Sequence, residues 1–394
     1  MIAKNKTNHI GPKALFDPYF IPPKILFRKN EQNSLLSILK DSLEDRFSLN
    51  ILFQGNQGIG KKVIINKVVQ EIIYDKDFMN SIKLSIDCRE KTTEELMLSI
   101  IMAMEKNTNI NLDLNLLLSS KLSSLWGFIK FLFKKSKNQT LLIFTNAEHL
   151  EKNFFKKLLT FSKEVKLDLI STVNNRLRNS ALDLLPEFDY KKKLKLYNYH
   201  QLFSILEQRV HLTFSHEIYD DFIDYLTDLI FEYYIPSPGK GIDILRDLYP
   251  LLKTQSMLNN VDMTELSHTH FDHFQRSDDF SLFNYISEEN VLTIIFLDGL
   301  AAYFLNNPSK YYISFENLRE LYDLSVESLE YQKNEDEYIS MIKILESLGI
   351  LIRSNKSKRL NLINQRRSYF DANFFLGINP SRIKAMIDAV FGKI

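Results

Sequence analysis

The sequence predicts an α/β domain with a parallel sheet covered by helices, followed by an all-helical domain and a C-terminal winged helix. A glycine-rich loop at 55–62 joins a short apolar run to a helical pattern. Further apolar runs alternate with helical patterns up to about residue 192, which is typical of a parallel sheet buried on both faces. From about residue 195 the patterns are helical, and a two-strand hairpin pattern appears only near the C-terminus.

Four short apolar runs are the predicted strands of the sheet, and the first leads directly into the glycine-rich loop. The helix expected after the loop covers Lys62 to Ile73. Strand, loop and helix in this order are the context that a phosphate-binding loop, or P-loop, requires. The strands are predicted at Leu49 to Phe53, Ile82 to Ile86, Leu141 to Thr145 and Leu167 to Val173.

The chain has 394 residues, which is too long for one ordinary core, so we expect several domains. Helices of the second domain are predicted at Tyr199 to Val210, Ser215 to Tyr233 and Gly241 to Leu252. The predicted divisions are a nucleotide-binding base domain at 1–192, a helical lid at 193–256, a linker at 257–286 and a winged helix at 287–394.

Composition excludes several classes of protein. The formal net charge is +1, so affinity for nucleic acid has to come from a local patch. Cys88 is the single cysteine, which fits a reducing compartment and rules out an intramolecular disulfide. Met1 to Lys13 has no apolar run of a secretory signal, and the apolar stretches are too short to span a membrane. We therefore expect an intracellular protein with no membrane partner.

The loop Gly55-Asn56-Gln57-Gly58-Ile59-Gly60-Lys61-Lys62 carries most of a phosphate site. In a P-loop, backbone N–H groups surround the β-phosphate at a helix N-terminus, and a lysine reaches the β- and γ-phosphates. The following Ser or Thr binds Mg²⁺. Lys62 stands at that hydroxyl position, where a second cation repels Mg²⁺. The alternative is a glycine turn that joins a strand to a helix and binds no phosphate.

The end of the third predicted strand should supply the other half of a hydrolytic site. A working site has an Asp for Mg²⁺ and a Glu that orients water. Here Thr145 and Asn146 occupy these two positions, and Glu148 follows where its side chain could point elsewhere. We therefore expect no catalytic residues and little or no ATP hydrolysis.

In these features the chain resembles the archaeal replication initiators related to the eukaryotic origin recognition complex, a branch of the AAA+ ATPases. The lead-in from Phe16 to Gln32, Asp87-Cys88-Arg89, the segment from Ile170 to Asn175 and the stretch Leu345 to Ile350 are similar to that family's motifs. The resemblance implies a P-loop AAA+ base domain, a helical lid and a winged helix. It implies binding of ATP or ADP at Gly55, Gly58, Gly60, Lys61 and Asn174.

The chain also departs from the family's pattern. The lid arginine that reaches the γ-phosphate in the family is replaced here by Ile242, and the trans-acting arginine finger falls near Leu185. Arg176 or Arg178 could compensate for the finger. The resemblance thus implies an initiator ancestry with ATP or ADP as a possible ligand, but with Mg²⁺ a poor fit.

Basic residues near the C-terminus form a candidate surface for double-stranded DNA. From Ile350 to Ile394 there are nine Lys or Arg against two Asp or Glu. A basic wing suits phosphate contacts and minor-groove insertion. A solvated basic loop is the alternative. The candidate residues are Arg353, Lys356, Lys358, Arg359, Arg366 and Arg367.

Two observations limit the DNA prediction. The expected recognition helix begins with Asn334-Glu335-Asp336-Glu337, and these acids would repel phosphates in a major groove. A second basic segment at 105–137, with Lys130, Lys134, Lys135 and Lys137, could be a further DNA contact or a capping helix pair. We assign no metal site: His270 and His273 share a helical face, but a solvated linker is the better interpretation.

The sequence therefore predicts a replication-initiator-like DNA-binding protein, with a role in origin recognition or helicase loading and a degenerate ATPase site. It would be nucleoid-associated in a cytoplasm, or nuclear. The main alternative is a non-catalytic AAA+ subunit that assembles with an active paralogue, and a third is a slow ATPase with unusual ligands. Partners beyond DNA would be paralogous initiator subunits or the replicative helicase.

Overall fold

The computed structural model describes residues 9–78, 81–108, 112–174, 184–218, 220–253, 291–307, 310–356 and 371–391. These residues form two compact units. The first is Pro18–Leu196, and the second consists of the described parts of Met1–Asp17 and Tyr197–Ile394.

The first unit contains a five-stranded parallel sheet in the order β2-β3-β4-β1-β5. Every strand except β2 and β5 is buried along almost its whole length, which explains the continuous apolar runs in the sequence. All four predicted strands are confirmed. The strands are β1 (Asn50–Gln54), β2 (Ile82–Asp87), β3 (Thr140–Thr145), β4 (Leu167–Val173) and β5 (Tyr190–Lys193).

Strand β5 was missed by the sequence analysis because it reads as a basic run with alternating exposure. It lies at the edge of the sheet and pairs with β1 alone, so only one of its sides is hydrogen-bonded. Charged side chains are common on such edges because they discourage pairing with another chain.

Helices surround this sheet. The helix after the glycine-rich loop runs over Lys61–Tyr74, close to the predicted span, and most of its apolar residues are buried. The described helices of the first unit are α2 (Lys29–Asp45), α3 (Lys61–Tyr74), α4 (Thr93–Thr108), α5 (Leu114–Leu118), α6 (Leu122–Lys135) and α7 (Lys152–Ser162), and a 3₁₀ turn follows β3 at Ala147–His149.

A buried polar cluster ties α2 to the start of β4. Asp168 is fully buried and accepts hydrogen bonds from the Ser42 hydroxyl, the Leu49 N–H and the Gln139 amide, at 2.8 to 2.9 Å. Burial raises the pKa of the Asp168 carboxyl to about 6, although these three hydrogen bonds act in the opposite direction.

The helices predicted for the lid are present in the second unit, with different boundaries. The last predicted helix is split at Leu248 into α10 and α11. Gly241 lies where α10 meets α8, and a Cβ added there would come within 2.5 Å of the Leu206 side chain. The helices are α1 (Lys13–Phe16), α8 (Tyr199–Thr213), α9 (Asp220–Tyr233), α10 (Pro238–Asp247) and α11 (Tyr249–Lys253).

The C-terminal part has the helix and sheet content of a winged helix. A three-stranded antiparallel sheet, in the order β6-β8-β7, packs on helices around a common apolar core. Its elements are α12 (Val291–Asn306), β6 (Ile313–Ser314), α13 (Phe315–Ser328), α14 (Glu335–Ser347), β7 (Leu351–Arg353), β8 (Asn373–Leu376) and α15 (Pro380–Phe391).

Strand β7 pairs with a strand that the sequence analysis did not predict. The sequence also predicts a strand at Leu360 to Ile363, which lies outside the described residues, so that prediction stays untested. The described partner is β8, where Ile352 pairs with Phe375. Phe374 and Phe375 are fully buried, and the burial of these two side chains favours β8 as the partner of β7.

Candidate nucleotide and DNA-binding sites

The glycine-rich loop has the backbone geometry of a phosphate cradle. Gly58 and Gly60 have φ values of 74° and 99°, a region that favours glycine, and Gly60 is the N-cap of α3. Gly55 follows β1, and a Cβ there would come within 3.3 Å of the Leu194 side chain. The N–H groups at the start of α3 are therefore available for an anion, as in other phosphate-binding loops.

Lys61 is folded onto the loop and satisfies all three of its donors. Its Nζ donates to the Gly55 carbonyl at 2.5 Å, the Asn56 carbonyl at 2.9 Å and Asn174 Oδ1 at 2.9 Å. The side chain is buried, with 8 % of the residue exposed. Burial lowers the pKa of the Lys61 ammonium to about 8, and the Glu148 carboxylate partly offsets this effect. A bound phosphate would take the place of one or more of these carbonyl acceptors and would bring negative charge to the Lys61 ammonium.

Glu148 lies in this site, although the sequence analysis allowed for its side chain to point elsewhere. Its carboxylate accepts hydrogen bonds from the Asn174 side-chain amide at 2.5 Å and from the Asn174 N–H at 3.3 Å. Asn146 has φ 58° and ψ 46°, and the 3₁₀ turn that follows directs the chain back toward the end of β4. Lys61, Asn174 and Glu148 thus form one connected chain of hydrogen bonds.

Lys62, at the hydroxyl position, belongs to a second charged group at the end of β2. Its Nζ lies 3.8 Å from Asp87 Oδ2 and 5.6 Å from the centre of the Tyr19 ring. The same carboxylate accepts a hydrogen bond from Arg89 at 2.9 Å and one from the Asn146 amide at 2.9 Å. Burial tends to raise the pKa of Asp87, but the hydrogen bonds from Arg89 and Asn146 prevail and hold it at about 2.

This set of donors does not fit Mg²⁺. A magnesium site needs oxygen ligands, whereas Asp87 is surrounded by nitrogen donors, two of them cationic. Thr145, in register with Asp87, has a buried hydroxyl with no hydrogen-bond partner among the described residues. Within the same part of the chain, no cluster of three or more His, Cys, Asp or Glu could hold a metal ion.

The two arginine positions implied by the family resemblance hold apolar side chains in described parts of the chain. Ile242 lies in the first half of α10, and Leu185 packs against the core of the first unit. Arg176 and Arg178, the alternative fingers, lie outside the described residues, as do His270 and His273. A compensating arginine therefore stays a prediction.

The expected recognition helix is α14, and it begins where the sequence indicated. The Asn334 side chain caps it by accepting hydrogen bonds from the N–H groups of Asp336 and Glu337. Glu335, Asp336 and Glu337 are all exposed, and Glu335 pairs with Arg319 of α13. The N-terminal end of this helix therefore presents negative charge to the solvent.

Two of the six predicted DNA-binding residues are described, and both form ion pairs within the second unit. Arg353 donates from Nε and a terminal nitrogen to the Glu346 carboxylate, each at 3.1 Å, and is largely buried. Lys356 is exposed and lies 2.7 Å from Asp224 of α9. The other four, Lys358, Arg359, Arg366 and Arg367, lie outside the described residues.

The start of the wing is anchored to the lid helix α9 by a buried carboxylate. Asp228 is fully buried and accepts hydrogen bonds from the Tyr312 hydroxyl, the Ser354 hydroxyl and the Asn355 N–H, each at 2.7 Å. Burial raises the pKa of Asp228, and these hydrogen bonds partly offset it. No local sequence pattern indicates this contact, because its partners are separated by more than 80 residues.

The second basic segment forms part of the helix pair α4 and α6. The Lys130 ammonium lies over the Trp126 ring at 5.6 Å, and the Lys135 ammonium lies over the Phe131 ring at 5.5 Å. Leu125, Ile129 and Leu132 of α6 are fully buried. This arrangement fits the capping helix pair that the sequence analysis kept as an alternative, while a DNA contact there stays a prediction.

The sheet order, the P-loop and the C-terminal sheet and helices define an α/β P-loop AAA+ fold with an all-helical lid and a winged-helix domain. Comparison with protein-family models finds no match, and comparison with curated proteins finds none either. Solved structures do match over nearly the full chain. The family resemblance inferred from the sequence is therefore confirmed at the level of the fold.

Among these structures is Cdc6p from Pyrobaculum aerophilum, with 15% identity, 97% of this chain and 98% of that chain covered, and a TM-score of 0.71. The Aeropyrum pernix ORC1 protein in complex with DNA has 13% identity, 96% coverage of both chains and a TM-score of 0.54. The Aeropyrum pernix ORC2 protein in its ADPNP–ADP complexes has 15% identity, coverage of 97% and 98%, and a TM-score of 0.52. Within the described part of this chain, no helix is both long and apolar enough to cross a bilayer.

Proposed function

We propose that this chain is a replication-initiator-type DNA-binding protein whose P-loop binds ATP or ADP as a structural ligand and does not hydrolyse it. The observation that carries the proposal is the asymmetry of the nucleotide site. The phosphate-binding side is complete, with the glycine cradle and Lys61 in place. The metal side holds Lys62, Arg89 and Asn146 around Asp87.

Nucleotide binding is supported by the conformation of the loop. The glycines at 58 and 60 adopt the positive φ values that expose backbone N–H groups at a helix start. Lys61 is held on loop carbonyls close to that position. The ORC2 protein of similar fold is described in ADPNP–ADP complexes.

Absence of hydrolysis is supported by the chemistry at the other side of the site. Hydrolysis requires Mg²⁺ to neutralise charge on the phosphates and a group that orients the attacking water. Thr145 and Asn146 supply no carboxylate there. Glu148 lies in the site, and both of its oxygens accept hydrogen bonds from Asn174. Each missing ligand removes several kcal/mol of transition-state stabilisation, on the order of 10³-fold in rate.

DNA binding is supported by the winged helix and by the basic residues that follow β7. The ORC1 protein of similar fold is described in complex with DNA. In this chain, contact would be led by the wing, since α14 begins with exposed acids that repel phosphates. Binding led by phosphate contacts is weakly sequence-specific and falls steeply with salt.

The test is DNA binding by the purified chain, measured by fluorescence anisotropy at roughly 50 mM and roughly 200 mM salt. We expect micromolar or tighter binding at the lower salt and a loss of at least about tenfold at the higher. The variant Arg366→Ala/Arg367→Ala should reduce both the affinity and the salt dependence. Lys240→Ala is the matched control, because that lysine lies over the Tyr234 ring in the lid. Undetectable binding at the lower salt would contradict the proposal.

A second candidate function is a non-catalytic AAA+ subunit that assembles with an active paralogue. The observations that favour it are the internal ion pairs of Arg353 and Lys356 and the acidic start of α14, all of which leave less positive charge for DNA. This reading predicts a stable complex with a hydrolysis-competent initiator of the same genome. It also predicts that this chain binds DNA poorly alone but stimulates the ATPase activity or the DNA binding of that partner.

A further inference from the structure

Position 62, in the first turn of α3, carries an ammonium where a P-loop carries its metal-binding hydroxyl. Lys62 is 37 % exposed at its side chain and is positioned by a long ion pair to Asp87 and by the Tyr19 ring. A separation of 3.8 Å is beyond hydrogen-bonding distance, so this ammonium keeps its donors available for another acceptor. Asp87 and the Tyr19 ring therefore position the Lys62 ammonium, but Asp87 does not take up its hydrogen-bond donors.

The charge around Lys62 favours an anion. The carboxylate of Asp87 is the acceptor beside Lys62, and Arg89 and Asn146 already donate hydrogen bonds to it at 2.9 Å. Two cationic side chains therefore face one carboxylate. A dication entering here would meet both ammonium and guanidinium charge, whereas a phosphate oxygen would be attracted by them.

The two adjacent lysines are anchored on different strands. Lys61 is bound to Asn174 at the end of β4, and Lys62 is paired with Asp87 at the end of β2. Strand β3 lies between these strands in the sheet. The two ammonium groups are therefore directed to different sides of the helix N-terminus where the loop N–H groups gather.

We infer that Lys62 takes the place of Mg²⁺, so that the two lysines hold the diphosphate from two sides and the chain binds nucleoside di- or triphosphates without a divalent cation. This inference rests on the proposed nucleotide binding and specifies how it occurs. It also gives a reason for the changes at Thr145 and Asn146, since acids at those positions would have no metal to bind. Lys62 supplies one positive charge in place of two, and the loop N–H groups and Lys61 supply the rest.

The test compares ADP binding to the full chain by titration calorimetry, with Mg²⁺ and with excess EDTA. We expect ADP to bind at least as tightly in EDTA as with Mg²⁺, because no metal ion contributes to the site and Mg²⁺ lowers the concentration of metal-free ADP. A gain of about tenfold or more with Mg²⁺ would overturn the inference while leaving nucleotide binding intact. No ADP binding in either buffer would overturn both the inference and the proposed nucleotide binding.

Variants at position 62 test whether the Lys62 ammonium is the group that replaces Mg²⁺. Lys62→Met should weaken ADP binding in EDTA by about tenfold or more, the value of one charge-assisted contact, and Lys62→Arg should retain most of the affinity. Lys67→Met is the control, because that lysine lies on the same helix and pairs with Glu71. Lys62→Thr restores the hydroxyl and should bind weakly in EDTA. Wild-type affinity of Lys62→Met and Lys62→Thr in EDTA would contradict the role of Lys62.

Discussion

Asn174 accepts a hydrogen bond from the Lys61 ammonium at 2.9 Å. This bond joins the phosphate-binding lysine to the end of β4, and the Asn174 amide in turn donates to Glu148 at 2.5 Å. Asn174, the residue expected to sense the γ-phosphate, therefore already uses both its side-chain oxygen and its side-chain nitrogen in hydrogen bonds. Nucleotide binding has to exchange some of these hydrogen bonds for phosphate contacts, and the predictions about the site follow from that exchange.

Replacing Lys61 should separate nucleotide binding from DNA binding. Lys61→Ala removes the charged donor, so ADP affinity should fall by at least about tenfold. DNA affinity should change by less than about twofold, because the loop and the predicted wing residues belong to different compact units. Calorimetry and anisotropy on the same preparation check this. Equal losses in both assays would contradict the assignment, and circular dichroism controls for folding.

The affinity for ADP should fall as the pH rises above about 8. Burial holds the pKa of Lys61 near 8 in the free protein, and a bound phosphate raises it because it favours the ammonium. The complex therefore binds more protons than the free protein above pH 8, so affinity is fully present below pH 8 and declines above it, by up to about tenfold per unit.

Titrations at several pH values, in buffers of different ionisation enthalpy, measure this proton uptake directly. Lys61→Arg should remove the dependence, since an arginine stays protonated throughout this range. An ADP affinity that is constant between pH 7 and pH 9.5 in the wild-type chain would contradict the prediction.

Protonation of the buried Asp168 should make the chain more stable in mild acid than at neutral pH. The folded-state pKa of about 6 lies above the unfolded value of 3.8, so the folded protein binds the proton more tightly. The stabilisation is fully present below the unfolded pKa and is lost as the pH rises through 6. It amounts to at most about 3 kcal/mol.

Chemical unfolding of the wild-type chain and of Asp168→Asn at pH 7 and pH 4.5 checks this prediction. The free-energy difference between the two proteins should shift in favour of the wild type at the lower pH. Asp41→Asn, an exposed position on the same helix α2 that supplies Ser42, is the control. A difference that is the same at both pH values would exclude titration of Asp168 in this range.

Removing Asp228 should destabilise the second unit strongly. Asp228→Ala leaves the buried Ser354 and Tyr312 hydroxyls and the Asn355 N–H without their acceptor. The expected cost is about 3 kcal/mol, typical of breaking a buried hydrogen-bond network. Asp221→Ala, an exposed acid on the same helix, should change stability by less than about 0.5 kcal/mol. A similar small effect of both variants in thermal unfolding would contradict the anchoring role.

Much of the fold follows from local patterns. The strands β1, β3 and β4 were predictable because each is an apolar run buried on both faces, and β2 because its buried apolar residues alternate with polar ones. The loop before α3 was predictable from its glycines. Strand β5 was not, since its three lysines resemble a solvated turn. Strand β8 was missed because its pairing with β7 depends on Phe374 and Phe375 reaching the core, a long-range effect.

The site shows the same division between local and distant information. Lys61 and the cradle glycines could be named from the sequence, because their roles depend on a short motif. Glu148 was not placed, because the left-handed conformation of Asn146 reverses the local direction of the chain. The pairing of Lys62 with Asp87 joins α3 to β2, and only the tertiary structure brings them together.

A single-turnover assay tests the central claim most directly. The purified chain, in excess over radiolabelled ATP, would be incubated with Mg²⁺ in the presence and absence of double-stranded DNA. We predict that ATP binds and is recovered intact over hours. Mg²⁺-dependent conversion to ADP that is abolished by Lys61→Ala would contradict the account, because it would show that this site hydrolyses ATP with the residues it has.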